Sequence, residues 1–373
     1  MIRPVVGVQN TFGIVRAWLG AVVAFGLAAS SAHGSGPMHE SWVPDGSDWV
    51  VHIDAKRLSQ SDTLQPIFDA LAASGLGASL ADMGIDPRLD LLTITMFGTI
   101  TRGPNQRGET TTMLVGGPAL RSAIYEHVES HNGYTLMLPK AWQAQGRNID
   151  AWTLEGMSVH IALLPFQPAA SAPDSHELVA VLSDNSQRLQ ACIETLLVER
   201  EPASPARPAA SPAPKSDGEP GSILDGCRPP EGSVIFAIAR NLNQAHPPLT
   251  SGVLASAESM VAHLGYREEA GELTVFAGME LLGHEAADVD GIVSSLNHMI
   301  EYWGDRIGEL SRSQPRMIAM LPLIDACDVS QEGRVVRLHL ERIAVTREPA
   351  TEHEDRPSLA TGSEQPSPSP GGP

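Results

Sequence analysis

The chain has 373 residues, 42% of them hydrophobic, enough to build a core and to make two domains of ordinary size. Against 25 basic side chains stand 44 acidic ones, a formal net charge of −19. An acidic surface of that kind repels phosphate backbones and anionic lipid, which argues against nucleic acid and acidic membranes as partners and favours solubility.

Residues 1–32 read as an export signal. Arg3 and Arg16 carry the only charges, residues 17–29 are apolar, and Ser30-Ser31-Ala32 offers small residues where a signal peptidase reads. The apolar core is shorter than the roughly 20 residues a membrane-spanning helix needs, and Gln9-Asn10 stops its extension upstream. No cysteine follows to carry a lipid anchor. The expectation is cleavage after Ala32, a secreted or periplasmic (extracytoplasmic) mature chain, and no stable membrane span after signal cleavage. An uncleaved anchor is the alternative.

Residues 33–199 form the expected first module. A strand over 49–55 runs on to Lys56 and Leu58. Leu64, Ile67, Phe68 and Leu71 then mark one face of a helix that stops at Gly75. A strand over 92–95 and a helix over 119–131 follow. Next come the turn Glu155-Gly156 with an alternating strand over 157–161, a strand over 178–182 and a helix over 186–198. Residues 200–222, with Pro202-Ala203-Ser204-Pro205 and Pro212-Ala213-Pro214, are a Pro/Ala/Ser-rich linker.

Residues 223–345 form the expected second module, and its elements resemble the first. A strand over 233–239 runs on to Arg240 and Leu242. Val253, Leu254, Ala257, Val261 and Leu264 mark a helix ending at Gly265, and 273–276 is the counterpart of 92–95. A helix over 288–303 has Val289, Ile292, Val293, Leu296, Ile300 and Trp303 on one stripe and Asp288 as its N-cap. A strand follows Glu332-Gly333. Residues 346–373 read as a disordered acidic and Pro-rich tail. The fold class expected is α+β: two related, duplicated modules of mostly antiparallel sheet with helices packed on one face.

Three cysteines occur, Cys192, Cys227 and Cys327, with no C-x-x-C spacing. Cys192 falls in a helical stripe with Leu189, Ile193, Leu196 and Leu197, which leaves Cys227 and Cys327 as the pair a disulfide would join. In the chain-entropy model such a bond adds on the order of 4 kcal/mol. Free thiols remain the alternative.

Nucleotide, hydrolase-elbow and zinc-protease signatures are absent. Asp288-Val289-Asp290-Gly291 resembles part of a calcium loop but lacks the later ligands and opens a helix instead. His127 and His131 stand one helical turn apart, the spacing of a zinc pair. No third ligand can be named, and His131 also fits a helix-ending role. His52 and Asp54 share a face of the first strand where the second module has Phe236 and Ile238. A solvent-exposed face is the preferred reading and a polar site the alternative. His160 and His339 lie on the wet faces of their strands. No catalytic residue and no cofactor is assigned.

The export signal, Trp49-Val50-Val51-His52-Ile53-Asp54 with Leu58 and Ser61, the strand 92–98, Met113-Leu114-Val115-Gly116-Gly117 and the final Glu-Gly-Arg-Val-Val strand are similar to an uncharacterised family of secreted proteins common in planctomycete bacteria. The resemblance implies no known activity and carries over no site residue. The function expected is non-catalytic binding or scaffolding in the cell envelope, with an envelope protein or a small ligand as partner. The rivals are a zinc hydrolase using His127 and His131, and a carrier of an apolar ligand.

Overall fold

The structure is a computed structural model. It describes residues 38, 40–61, 64–103, 108–130, 134–136, 149–154, 159–166, 177–198, 222–224, 227, 229–245, 252–269, 272–312 and 324–345. The expected signal (1–32), the linker except Ser222, the Glu155-Gly156 turn, His131 and the tail (346–373) lie outside the described residues.

β-Branched and aromatic runs bounded by turns give the described chain its strands. They are β1 (Trp49–Ile53), β2 (Leu91–Gly98), β3 (Thr110–Gly116), β4 (Tyr134–Leu136), β5 (Asp150–Leu154), β6 (Val159–Phe166), β7 (Glu177–Ser183), β8 (Ser233–Ala239), β9 (Ala257–Glu269), β10 (Glu272–Gly283), β11 (Cys327–Glu332) and β12 (Val335–Val345). All join one antiparallel sheet in the order β11-β12-β10-β9-β8-β1-β2-β3-β7-β6-β5-β4. At its middle β1 pairs with β8, Val51 opposite Ala237 and His52 opposite Phe236. The stretches before and after residues 200–222 therefore share one continuous sheet.

The helices are α1 (Ala55–Gln60), α2 (Gln65–Ala72), α3 (Gly75–Asp82), α4 (Pro118–Ser130), α5 (Ser186–Val198), α6 (Gly252–Ala255) and α7 (Ala286–Ser311). With the antiparallel sheet they make an α+β architecture. Strand alternation sends Val51, Ile53, Ile94, Met96, Leu114 and Ala237 into one core. There they meet α1 to α4, α6 and α7, including Leu58, Phe68, Leu80, Ile124, Leu254 and Leu296. Val50, Phe97, Met113, Val115, Val181 and Phe236 face the other way. They pack under Leu189, Cys192, Ile193, Leu196 and Leu197 of α5, beside Trp42, Val43, Ile223 and Leu224. The expectation of helices on one face is thus corrected: the amphipathic stripe of α5 has an apolar sheet face of its own to cover. Each such fully buried aliphatic side chain is worth about 1.5–3 kcal/mol. Because both faces of β1 are covered, all five of its residues are buried.

Local capping sets the helix starts. Asp54 accepts from the Arg57 amide at 2.9 Å to open α1, and Ser74 accepts from the Gly77 amide at 3.3 Å to open α3. Gly75 accordingly begins a helix and does not end one. Asn185 Oδ1 accepts from the Gln187 and Arg188 amides at 2.8 and 3.2 Å before α5. Asp288 lies inside the first turn of α7, not at its N-cap; its carboxylate reaches back to accept from the Glu285 amide at 2.9 Å.

The helix expected over 253–264 is replaced by α6, which ends at Ala255, and by β9. Met260, Ala262, Leu264 and Tyr266 alternate into the α7-side core, so period two wins over the period of 3.6 that Val253, Leu254, Ala257, Val261 and Leu264 also satisfy. Counted outward from the central pair, β2 and β9 hold the second places and β3 and β10 the third. Strand 273–276, part of β10, does not occupy the place corresponding to 92–95.

Candidate functional site

The two ends of β1 are polar and buried. At its start Asp48 ties three strands together. Its amide donates to Gly98 O and its carbonyl accepts from the Arg240 amide, both at 2.7 Å. Its carboxylate accepts from the Ile100 amide and from Asn241 Nδ2, both at 2.9 Å, and pairs with Arg102. Asn241 holds the left-handed conformation, φ 59°, that carries the chain past the end of β8.

At the far end, Asp54 is 4% exposed. Its amide donates to Val234 O at 2.8 Å. Burial pushes its carboxyl up to about 6, against the Arg57 amide and the Arg57 and Lys56 charges, which pull it down. Arg57 reaches β9: its guanidinium lies 4.8 Å from the centre of the Tyr266 ring and donates to Tyr266 O at 3.3 Å. Tyr266 Oη returns a hydrogen bond to Arg57 O at 3.3 Å.

His52 is 7% exposed, with Nδ1 2.9 Å from Thr95 Oγ1. The expectation of a solvent-exposed face at His52 and Asp54 is therefore corrected. Both are buried because the middle of the sheet is covered on each side, and each has its own partner.

His52 begins a row that crosses the sheet. In register it stands between Thr95 and Phe236; Phe236 faces His263; His263 and His339 flank Gly278; and His339 faces Asp328. Directly opposed residues share a face, so this whole row lies on the α5 side. The apolar cluster on that side reaches Phe236, Ile238 and Val261. Beyond them β10 and β12 present Glu280 and His339, both exposed, and half-buried Arg337.

Two glycines shape that face. A Cβ on Gly278 would lie 2.6 Å from Cε1 and 2.9 Å from Nε2 of His263, so the imidazole is laid over the glycine. A Cβ on Gly265 would lie 2.5 Å from Cζ of Phe276, the reciprocal arrangement. The two rings stand 6.0 Å apart at 47°, and Arg267 covers Phe276 at 4.9 Å. Burial, with His339 nearby, lowers the His263 imidazole to about 4. Arg337 is held by Glu280 at 2.9 Å and Glu332 at 2.8 Å. Neither His263 nor Asp48 was singled out by sequence reasoning. Reading 260–267 as alternating would have placed His263 and Arg267 together, opposite the apolar residues.

The other expected site residues are dispersed. His127 is half-buried on α4, its Nδ1 3.3 Å from Asp82 O at the end of α3. Its proposed partner, His131, lies outside the described residues. Among the described residues no group of three or more His, Cys, Asp or Glu side chains is arranged to hold a metal. His160 is half-buried, 3.0 Å from Thr153 Oγ1.

Cys227 and Cys327 are free, so the expected disulfide is corrected. Cys227 packs on the α5 side of the sheet and Cys327 on the α7 side, which separates their sulfurs by the sheet itself. Burial pushes the Cys192 thiol up to about 12 and Cys327 up to about 11. An open groove of about 570 Å3 runs along α7, lined by Asp290, Val293, Ser294, Asn297, His298 and Glu301. Its largely polar lining does not suit an apolar ligand. Among the described residues no helix is long and apolar enough to cross a membrane.

No protein-family model matches the chain, and no curated protein matches it. Among solved structures it is similar to TP0453 in crystal form I, at 13% sequence identity and a TM-score of 0.37, over 83% of this chain and 94% of that one. A likeness that remote carries no argument about activity.

Proposed function

We propose that the chain is an exported, non-catalytic binding or scaffolding protein of the cell envelope, related to the secreted planctomycete-type family. The signal-like residues 1–32 support the export, and they give a direct test. Protein recovered from the extracytoplasmic fraction should have the intact mass of a chain beginning at His33. Full-length chain confined to the cytoplasm refutes it.

The observation that carries the binding role is the unequal treatment of the α5-side sheet face. Across β1, β2, β3 and β7 that face lies in one apolar cluster with α5, Trp42, Val43, Ile223 and Leu224; across β10 and β12 it ends in Glu280, Arg337 and His339. A photocross-linking residue at Glu280 should capture a discrete adduct in intact cells, and one at Arg306 on the outer side of α7 should not. Equal labelling from both positions refutes the assignment of the face.

Duplication belongs to the same reading. Outward from the middle, β1-β2-β3-β7-β6 and β8-β9-β10-β12-β11 follow parallel courses, with α4 and α7 inserted after the third strand of each. An experimental structure whose halves fail to superpose removes it.

A further inference from the structure

We infer that His263 and His339, facing each other across Gly278, form a two-imidazole site for a divalent transition-metal ion, with Cu2+ the ion it holds best. The inference goes beyond the binding role above and needs no partner protein. Both histidines are register neighbours of the same glycine and lie on the same face of the sheet.

Adjacent strands are about 4.8 Å apart, so the two histidine backbones stand about 10 Å apart with β10 between them. An ion midway, bonded to nitrogen at about 2 Å, requires each ring nitrogen to reach only about 3 Å inward from its strand. Any larger residue at position 278 would fill that space; glycine leaves it to the His263 ring. The His263 ring already leans over Gly278, with Nε2 near the place a Cβ would take.

The electrostatic surroundings suit a cation. The nearest positive side chain along β12, Arg337, is turned to Glu280 and Glu332. Arg267 is spread over the Phe276 ring. Asp328 stands opposite His339 in register, on the edge strand β11. Neutral imidazole, with a free ring nitrogen, is the form that ligates. Two imidazoles completed by water suit tetragonal Cu2+, which also heads the affinity order of divalent ions for nitrogen sites.

The competing account is packing alone: an aromatic ring covering a strand glycine, as Phe276 covers Gly265. His263→Phe separates the two, because phenylalanine keeps the cover and removes the ligand. His339→Gln removes the other ligand at an exposed position. The tag-free full chain should bind one Cu2+ more tightly than its remaining sites in calorimetric titration. Its electron paramagnetic resonance spectrum should show two nitrogen ligands. Each variant should weaken that site at least tenfold and leave one nitrogen, while His160→Asn binds like the wild type. Native-like far-ultraviolet circular dichroism checks folding. If His263→Phe and His339→Gln bind Cu2+ as the wild type does, or the wild type shows only weak scattered binding, the inference is wrong.

Discussion

Replacing Asp54 by Asn removes a charge that the fold holds at a loss of stability. Asn keeps the cap, since its side-chain oxygen still accepts from the Arg57 amide. What it removes is titration. The folded carboxyl sits at about 6 against an ordinary 3.8, a difference worth roughly 3 kcal/mol at 1.36 kcal/mol per pH unit. With its folded value raised, Asp54 contributes stability that is fully present below pH 4 and lost as pH rises through 6. His263 works in the opposite direction. Its folded value is lowered from 6.5 to about 4, so its contribution is present above pH 6.5 and lost as pH falls through 4. The two windows overlap between pH 4 and 6, where their slopes oppose. The wild type should therefore hide both, and the variants should reveal them. In urea unfolding at pH 4, 5, 6 and 7, Asp54→Asn should match the wild type at pH 4 and exceed it by about 3 kcal/mol at pH 7. A difference that stays constant with pH, or an Asp54→Asn protein less stable at pH 7, refutes the reasoning.

Other residues give independent checks. Asp48→Ala strips acceptors from the Ile100 amide and Asn241; chemical denaturation should show a loss of about 3 kcal/mol, of the order expected for buried donors left unpaired. Alkylation of the native chain followed by intact mass should find no disulfide, with Cys192 unlabelled until unfolding because it is buried and its thiol stays protonated; a chain two hydrogens light refutes this. Gly278→Ala places a Cβ 2.6 Å from the His263 ring, so the ring must swing outward. Its pKa, followed by nuclear magnetic resonance, should rise from about 4 toward 6.5.

Elements with a single strong periodicity were legible from sequence. The stripe Leu189, Cys192, Ile193, Leu196 and Leu197 specifies α5, and the apolar run 233–239 specifies β8. Segment 253–264 was not, because its apolar residues satisfy both periods and the choice is made by neighbours: β8 and β10 pair with β9 on both sides. Gly265 has the look of a helix stop, yet in the sheet it admits Gly232 O and the Phe276 ring, which a Cβ would meet at 2.4 and 2.5 Å. His52 and Asp54 alternate as wet residues do. The neighbours that bury them, β2 and β8 beside His52 and α1 over Asp54, come from register and capping, which alternation alone cannot show. The row from His52 to Asp328 draws on six strands and is invisible until their registers are fixed.

The pairing of β1 with β8 governs the order in which this chain can mature. β1 is among the first described segments to leave the ribosome, and its five residues, Trp-Val-Val-His-Ile, are all destined for the interior. One of its edges can be satisfied early, by β2. The other waits until β8 has been made, about 180 residues later in the chain. Until then the growing sheet carries an open apolar edge, the kind that recruits foreign strands. A chain ending before residue 233 keeps that edge permanently and should aggregate: β1 and β8 must both arrive before either is safe.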